Sequence, residues 1–143
     1  MKRILVVEDS DGDAALIQMF LQTAHSDCLV ETLADDDETG GGGLAAKLRA
    51  IANDRDRRPD LILLDLGRPE RTAQALLTKI NSEPVFAPVP VIAVSHSGNP
   101  EIIQLIYQLN ANACIVKPSE LGIYRSAIAA LVVFWLMTAS LPP

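Results

Sequence analysis

Apolar residues along the chain fall into two patterns: short unbroken runs, and longer stretches spaced by three and four. Ile4-Leu5-Val6-Val7, Leu61-Ile62-Leu63-Leu64, Val91-Ile92-Ala93-Val94 and Ala113-Cys114-Ile115-Val116 are of the first kind. Such runs mark parallel strands covered on both faces. Residues 28–33 read as one more strand, with Leu29 and Val30 facing inward. Between the runs, Ala14, Ile17, Phe20 and Leu21 share one helical stripe, as do Leu44, Leu48 and Ile51. Leu76, Leu77 and Ile80 form a third stripe, and Ile102, Ile103, Ile106 and Leu109 a fourth. Ser10 or Asp11 can cap the first helix, which the pattern ends near Ala24, and Pro100 suits the first turn of the fourth. The third is predicted over 72–80 and a last helix over about 119–137, while the third strand ends at Asp65 and the fourth at Ser95. Five strands alternating with five helices predict a doubly wound α/β sheet, because parallel strands need helical crossovers.

The breaks in the pattern are informative too. Residues 34–43 hold an acidic run and then four glycines, a composition that gains little by packing and keeps high backbone entropy, as a loop does. Arg55, Arg57 and Arg58 alternate with acids at 54, 56 and 60, which marks a solvated loop. The block 127–137 is apolar throughout, and its side chains point all round a helix. One face can pack on the sheet; the rest calls for another cover, and a second copy of the chain supplies one. Eleven residues fall short of the ~20 that a membrane-spanning helix needs. The expected organisation is therefore one domain over 1–126, continued by a helix end and tail over 127–143 that act as a dimerisation arm.

Composition narrows the function classes. A length of 143 residues suits one core, and 49% hydrophobic with 4% aromatic residues makes that core aliphatic. A net charge of −6 argues against a direct nucleic-acid partner. Cys28 and Cys114 lack metal-ligand spacing and read as small core residues in a reducing cytoplasm; His25 and His96 read as loop or helix-end residues. The apolar run at the N-terminus meets acid after four residues, so no export signal is expected. Asp9-Ser10-Asp11-Gly12-Asp13 has its glycine at the fourth place and Phe20 at the twelfth, unlike an EF-hand loop. Glycines 40–43 lack the Gly-Lys-Ser/Thr of a nucleotide-binding loop.

Ligands of doubly wound sheets bind outside the carboxyl ends of the strands. Those ends carry Glu8 and Asp9, Asp65, Ser95 and Lys117. Clustered carboxylates are natural ligands of a hard dication such as Mg²⁺. Asp65 ends the central strand and is the candidate nucleophile toward a phosphoryl group. Asp9 would be a direct metal ligand, Glu8 a ligand directly or through water, and the Gly67 backbone carbonyl a further oxygen. Lys117 would neutralise the transferring oxygens, and Ser95 would contact one of them.

Val6-Val7-Glu8-Asp9, Leu63-Leu64-Asp65-Leu66, Ala93-Val94-Ser95 and Ile115-Val116-Lys117-Pro118 occur in that order, with Ser95 30 residues after Asp65 and Lys117 22 after Ser95. In this the chain resembles the receiver domain of bacterial two-component response regulators, over nearly its whole length. The resemblance implies a flavodoxin-like sheet of order 2-1-3-4-5. It also implies that Asp65 accepts phosphate from a histidine kinase, that Glu8 and Asp9 bind Mg²⁺, that Ser95 is the switch hydroxyl and that Lys117 pairs with the phosphoryl group. With no output domain expected, a partner protein would read the signal.

The acidic loop, Asn112-Ala113-Cys114-Ile115-Val116-Lys117-Pro118 and the Phe134-Trp135-Leu136-Met137 tail give a narrower likeness, to stand-alone regulators of bacterial and cyanobacterial phytochrome kinases. These tend to dimerise through the C-terminal helix and extension. Two departures stand out. Cys114 occupies the place where many receivers carry a switching Tyr or Phe, and Pro69-Glu70-Arg71-Thr72-Ala73 replaces the usual Pro-x-x-x-Gly turn. Two alternatives stay open: a phosphate-independent interaction module and a membrane-tethered adaptor. A small-molecule hydrolase fits less well, since the second catalytic Asp expected two residues after Asp65 is Gly67.

Overall fold

The computed structural model describes residues 1–8, 14–25, 27–34, 43–66 and 69–142; side chains 14 and 69–73 are not among those described. In chain order the elements are β1 (Arg3–Glu8), α1 (Ala14–Ala24), β2 (Leu29–Ala34), α2 (Gly43–Ala52) and β3 (Leu61–Leu66). There follow α3 (Pro69–Asn81), a 3₁₀ turn (Pro84–Phe86), β4 (Val91–Ser95), α4 (Pro100–Gln108), β5 (Ala113–Val116) and α5 (Leu121–Val132), which runs on as a π-helix over Val133–Thr138. The strands form one parallel sheet of order β2-β1-β3-β4-β5, the order the resemblance implies.

Alternation along the fully buried strands divides the apolar runs between two cores. Leu5, Val7, Ile62 and Leu64 pack under Leu44, Leu48 and Ile51 of α2, Leu76, Leu77 and Ile80 of α3 and Ile106 of α4. Ile4, Val6, Leu61, Leu63, Ile92 and Val94 pack under Ile17, Phe20 and Leu21 of α1 and Tyr124, Ile128 and Leu131 of α5. Each such Leu or Ile stabilises the fold by about 1.5–3 kcal/mol relative to exposure.

The edge strand corrects one expectation. Leu29 is 41% exposed instead of facing inward, while Val30 does pack on the α1/α5 core. Cys28, one residue earlier, is the buried one. Leu29 opens β2 and lines an open cavity of about 170 Å³ with Arg57 and Pro59. Arg57 pairs there with Glu31 of β2.

Other boundaries shift by a few residues. β3 runs one residue past Asp65, α3 starts at Pro69, and α5 starts at Leu121 because Glu120 caps it, accepting from the N–H of Gly122 at 2.7 Å and of Ile123 at 3.2 Å. At the other end Thr138 Oγ1 donates to Val133 O at 3.0 Å and Ala139 N to Phe134 O at 2.7 Å, five residues back in each case. The apolar helix therefore runs unbroken over Leu121–Thr138, and its 18 residues are enough to cross a membrane by length and composition. Its inner face, with Tyr124, Ile128, Leu131, Val132 and Leu136, belongs to the core shared with α1. The predicted cap at Ser10 or Asp11 and the glycine loop up to residue 42 lie outside the described residues.

Candidate functional site

The chain leaves β1 toward α1 on one face of the sheet and leaves β3 toward α3 on the other. Two neighbouring strands whose connections part in this way open a crevice at their carboxyl ends. Glu8 and Asp65 sit there in register, on β1 and β3. They are 5% and 4% exposed, and Ser95 beside them on β4 is 0% exposed; these are the buried polar or charged side chains among the described residues. Two like charges taken out of water side by side are held at a cost of several kcal/mol per ion unless opposite charge and hydrogen bonds offset it.

Ser95 pairs with Val116 across β4 and β5, and its carbonyl accepts the Lys117 backbone N–H at 2.8 Å, which ties Lys117 to the same edge. The Ser95 hydroxyl donates to Ser97 O at 3.0 Å and accepts from Ser97 N at 3.1 Å. Ser97 Oγ accepts from Asn99 N at 3.1 Å, and Asn99 Oδ1 accepts from Glu101 N at 3.0 Å, capping α4. A continuous chain of short turns thus runs from the hydroxyl to the helix that Pro100 starts. Lys117 Nζ lies 5.3 Å from the centre of the Tyr124 ring.

The structure brings Glu8, Asp65, Ser95 and Lys117 to one edge. Asp9 and Gly67 lie outside the described residues. Among the described residues no three His, Cys, Asp or Glu side chains converge on one point. Glu8 and Asp65 contribute two hard oxygen donors, and paired buried carboxylates are the donor chemistry that a Mg²⁺-like dication requires, so the residues present fit such an ion.

At Cys114 the backbone N–H donates to the Tyr107 hydroxyl at 3.1 Å, so a ring from α4 reaches the free edge of β5 beside the position where a ring would be usual. Burial pushes the Cys114 thiol above the ordinary thiol range. It does the same to Cys28, where the nearby Asp27 charge adds to the rise and a backbone hydrogen bond opposes it.

Two residues at this edge escaped the sequence reading, Ser97 and Tyr124. Tyr124 precedes the apolar block but stands one helical turn before Ile128, a spacing that could have placed it on the inner stripe of α5.

A family model for the response regulator receiver domain matches residues 4–129. Response regulator Rcp1 of Synechocystis sp. is 31% identical over 141 residues, which span 99% of this chain and 93% of that protein. The crystal structure of the phosphorylated cyanobacterial phytochrome response regulator RcpA is 32% identical with a TM-score of 0.77, covering 99% of both chains. The Mn²⁺-bound form of Rcp1 is 29% identical with a TM-score of 0.76, covering 100% of both. The chain thus belongs to the response regulator receiver domain family, the phosphoryl-accepting modules of two-component signalling.

Proposed function

We propose that Asp65 is the phosphoryl acceptor and that the chain signals through protein contacts. The observation that carries this reading is the buried pair Glu8 and Asp65, in register on the two central strands, with Ser95 and Lys117 tied together at the same edge. An Asp65 carboxylate oxygen attacks phosphorus as the bond from phosphorus to the donor histidine nitrogen breaks. That nitrogen keeps the electron pair, and Asp65 becomes an acyl phosphate. Lys117 donates to a phosphoryl oxygen, and the Ser95 hydroxyl turns from Ser97 to another. Glu8, Asp9, Asp65 and the Gly67 carbonyl would hold Mg²⁺, which supplies positive charge against the developing phosphoryl oxygens.

The donor is a histidine kinase, and the likeness to RcpA, a phytochrome response regulator, favours a phytochrome kinase. The chemistry ends at phosphotransfer and self-catalysed loss of the phosphate. Residues 1–126 form the receiver and 127–143 the arm of a cytoplasmic homodimer. Val133, Phe134 and Met137 are exposed on the outer side of the helix and would be covered in that dimer. A membrane would have to strip the inner face of α5 from α1 and the sheet, which disfavours the tethered reading.

The test is phosphotransfer from a panel of purified histidine kinases, a phytochrome among them, to the wild type and to Asp65→Asn. Transfer from the phytochrome to the wild type alone is expected. Equal labelling of Asp65→Asn would overturn the assignment of the acceptor, and transfer only from kinases that lack a phytochrome sensor would overturn that of the donor.

A further inference from the structure

We infer that Tyr124 is a positioning residue for Lys117, its buried ring face holding the ammonium where it can meet a phosphoryl group on Asp65. The inference rests on the roles given above to Asp65 and Lys117. Lys117 Nζ is 5.3 Å from the ring centre, inside the ~6 Å range over which an aromatic face attracts a cation.

Both ends of the lysine are constrained. Its backbone N–H is bonded to Ser95 O on β4 at 2.8 Å, and its head lies over a ring carried by α5. The ring itself has little freedom. It is fully buried, and Phe20 of α1 meets it edge to face, with centres 5.7 Å apart and planes at 87°. Its place along the chain is set by the Glu120 cap two residues before Gly122, and Tyr124 N donates to Glu120 O at 3.1 Å. A side chain at Gly122 would put its Cβ 2.8 Å from Glu120 Oε1, so the glycine leaves the cap room to close.

A lysine side chain has four rotatable carbons, and free motion would spread the ammonium over many places. A ring face narrows that spread without presenting an anion. A carboxylate in the same place would hold the ammonium too, but would compete with the phosphoryl oxygens for it. Lys117 and Tyr124 each have further contacts, and the ring face is what replacement by an aliphatic side chain removes.

Beryllofluoride with Mg²⁺ is the probe, titrated against full-length protein. Tyr124→Leu is expected to weaken binding on the order of 3–30-fold, the range that a partly desolvated cation over a ring supports. Tyr124→Phe, which keeps the ring, should restore it. In a Lys117→Ala background, Tyr124→Leu should have no further effect, whereas a merely structural role would lower affinity by the same factor in both backgrounds. Should the leucine variant not fold, phenylalanine and its mono-, di- and trifluorinated forms at position 124 keep the size and drain the ring face stepwise. Affinity should then fall at each step, and a flat series would overturn the inference. Wild type that binds no beryllofluoride, or Asp65→Asn that binds it undiminished, would instead sink the reading of the site on which the inference stands.

Discussion

At the carboxyl edge of the sheet Glu8, Asp65 and Ser95 are polar and buried, while along the π-helical continuation of α5 Phe134 and Met137 are apolar and 52% and 62% exposed. Both regions run against the usual sorting of side chains, in opposite directions. The acids gain nothing from burial as a fold element, since well-packed apolar residues there would serve stability as well or better. The exposed ring and thioether gain nothing from water. The physical need differs between the two: opposite charge and hydrogen bonds for the buried acids, apolar cover for the helix end. The same logic that identifies a core thus separates a chemical site from an exposed apolar face.

The largest effect expected at the sheet edge is metal-linked stability. Mg²⁺ at about 100 times its dissociation constant should stabilise the wild type by about 2.7 kcal/mol, and Asp65→Asn or Glu8→Gln should raise stability without metal while shrinking that gain. Urea melts with and without Mg²⁺ check this. Equal gains in wild type and variants would place the ion elsewhere.

Next in size, Lys117→Ala should weaken beryllofluoride binding by roughly tenfold or more, the loss of a charge-assisted hydrogen bond worth about 1.5–3 kcal/mol, with the melting temperature nearly unchanged. Ser95→Ala should act in the same direction and less. Titration beside thermal melts separates affinity from stability.

At the helix end, Phe134→Ser combined with Met137→Ser should loosen self-association by roughly a hundredfold or more, given about 1.5–3 kcal/mol for each apolar side chain fully buried, the half-exposed state of both and two copies of each in a dimer. Sedimentation over a range of concentrations reads this, and a wild type that stays monomeric at micromolar concentration would contradict the arm. The smallest effect is at Cys114. Burial disfavours its thiolate, so its contribution is complete below the ordinary thiol range. As pH rises through that range toward the raised folded value, the unfolded chain ionises first and stability declines. Urea melts from roughly pH 7 to pH 10 should slope less for Cys114→Ser than for the wild type.

Much of this was legible in the sequence because the central strands are covered on both faces. Continuous short apolar runs at 4–7, 61–64 and 91–94 fit buried parallel strands, and in such a sheet the first polar residues after them meet at one edge. The order of the strands was not in the runs themselves; it came with the family resemblance. Leu29 was misread because β2 is an edge strand with partial cover along its length, so that periodicity there constrains little. The ring of Tyr124 was missed because the break after Lys117 interrupts the pattern, although its spacing to Ile128 carried the signal, and the Glu120 cap shows where the helix resumes.

One measurement bears most directly on Asp65 as acceptor. The protein is incubated with acetyl phosphate and Mg²⁺, reduced with borohydride, which converts an aspartyl phosphate to homoserine, and digested for peptide mass spectrometry. Homoserine at position 65, dependent on both acetyl phosphate and Mg²⁺, is the expected result. Homoserine at another acid, or a peptide holding Asp65 unchanged while the protein carries phosphate elsewhere, would contradict it.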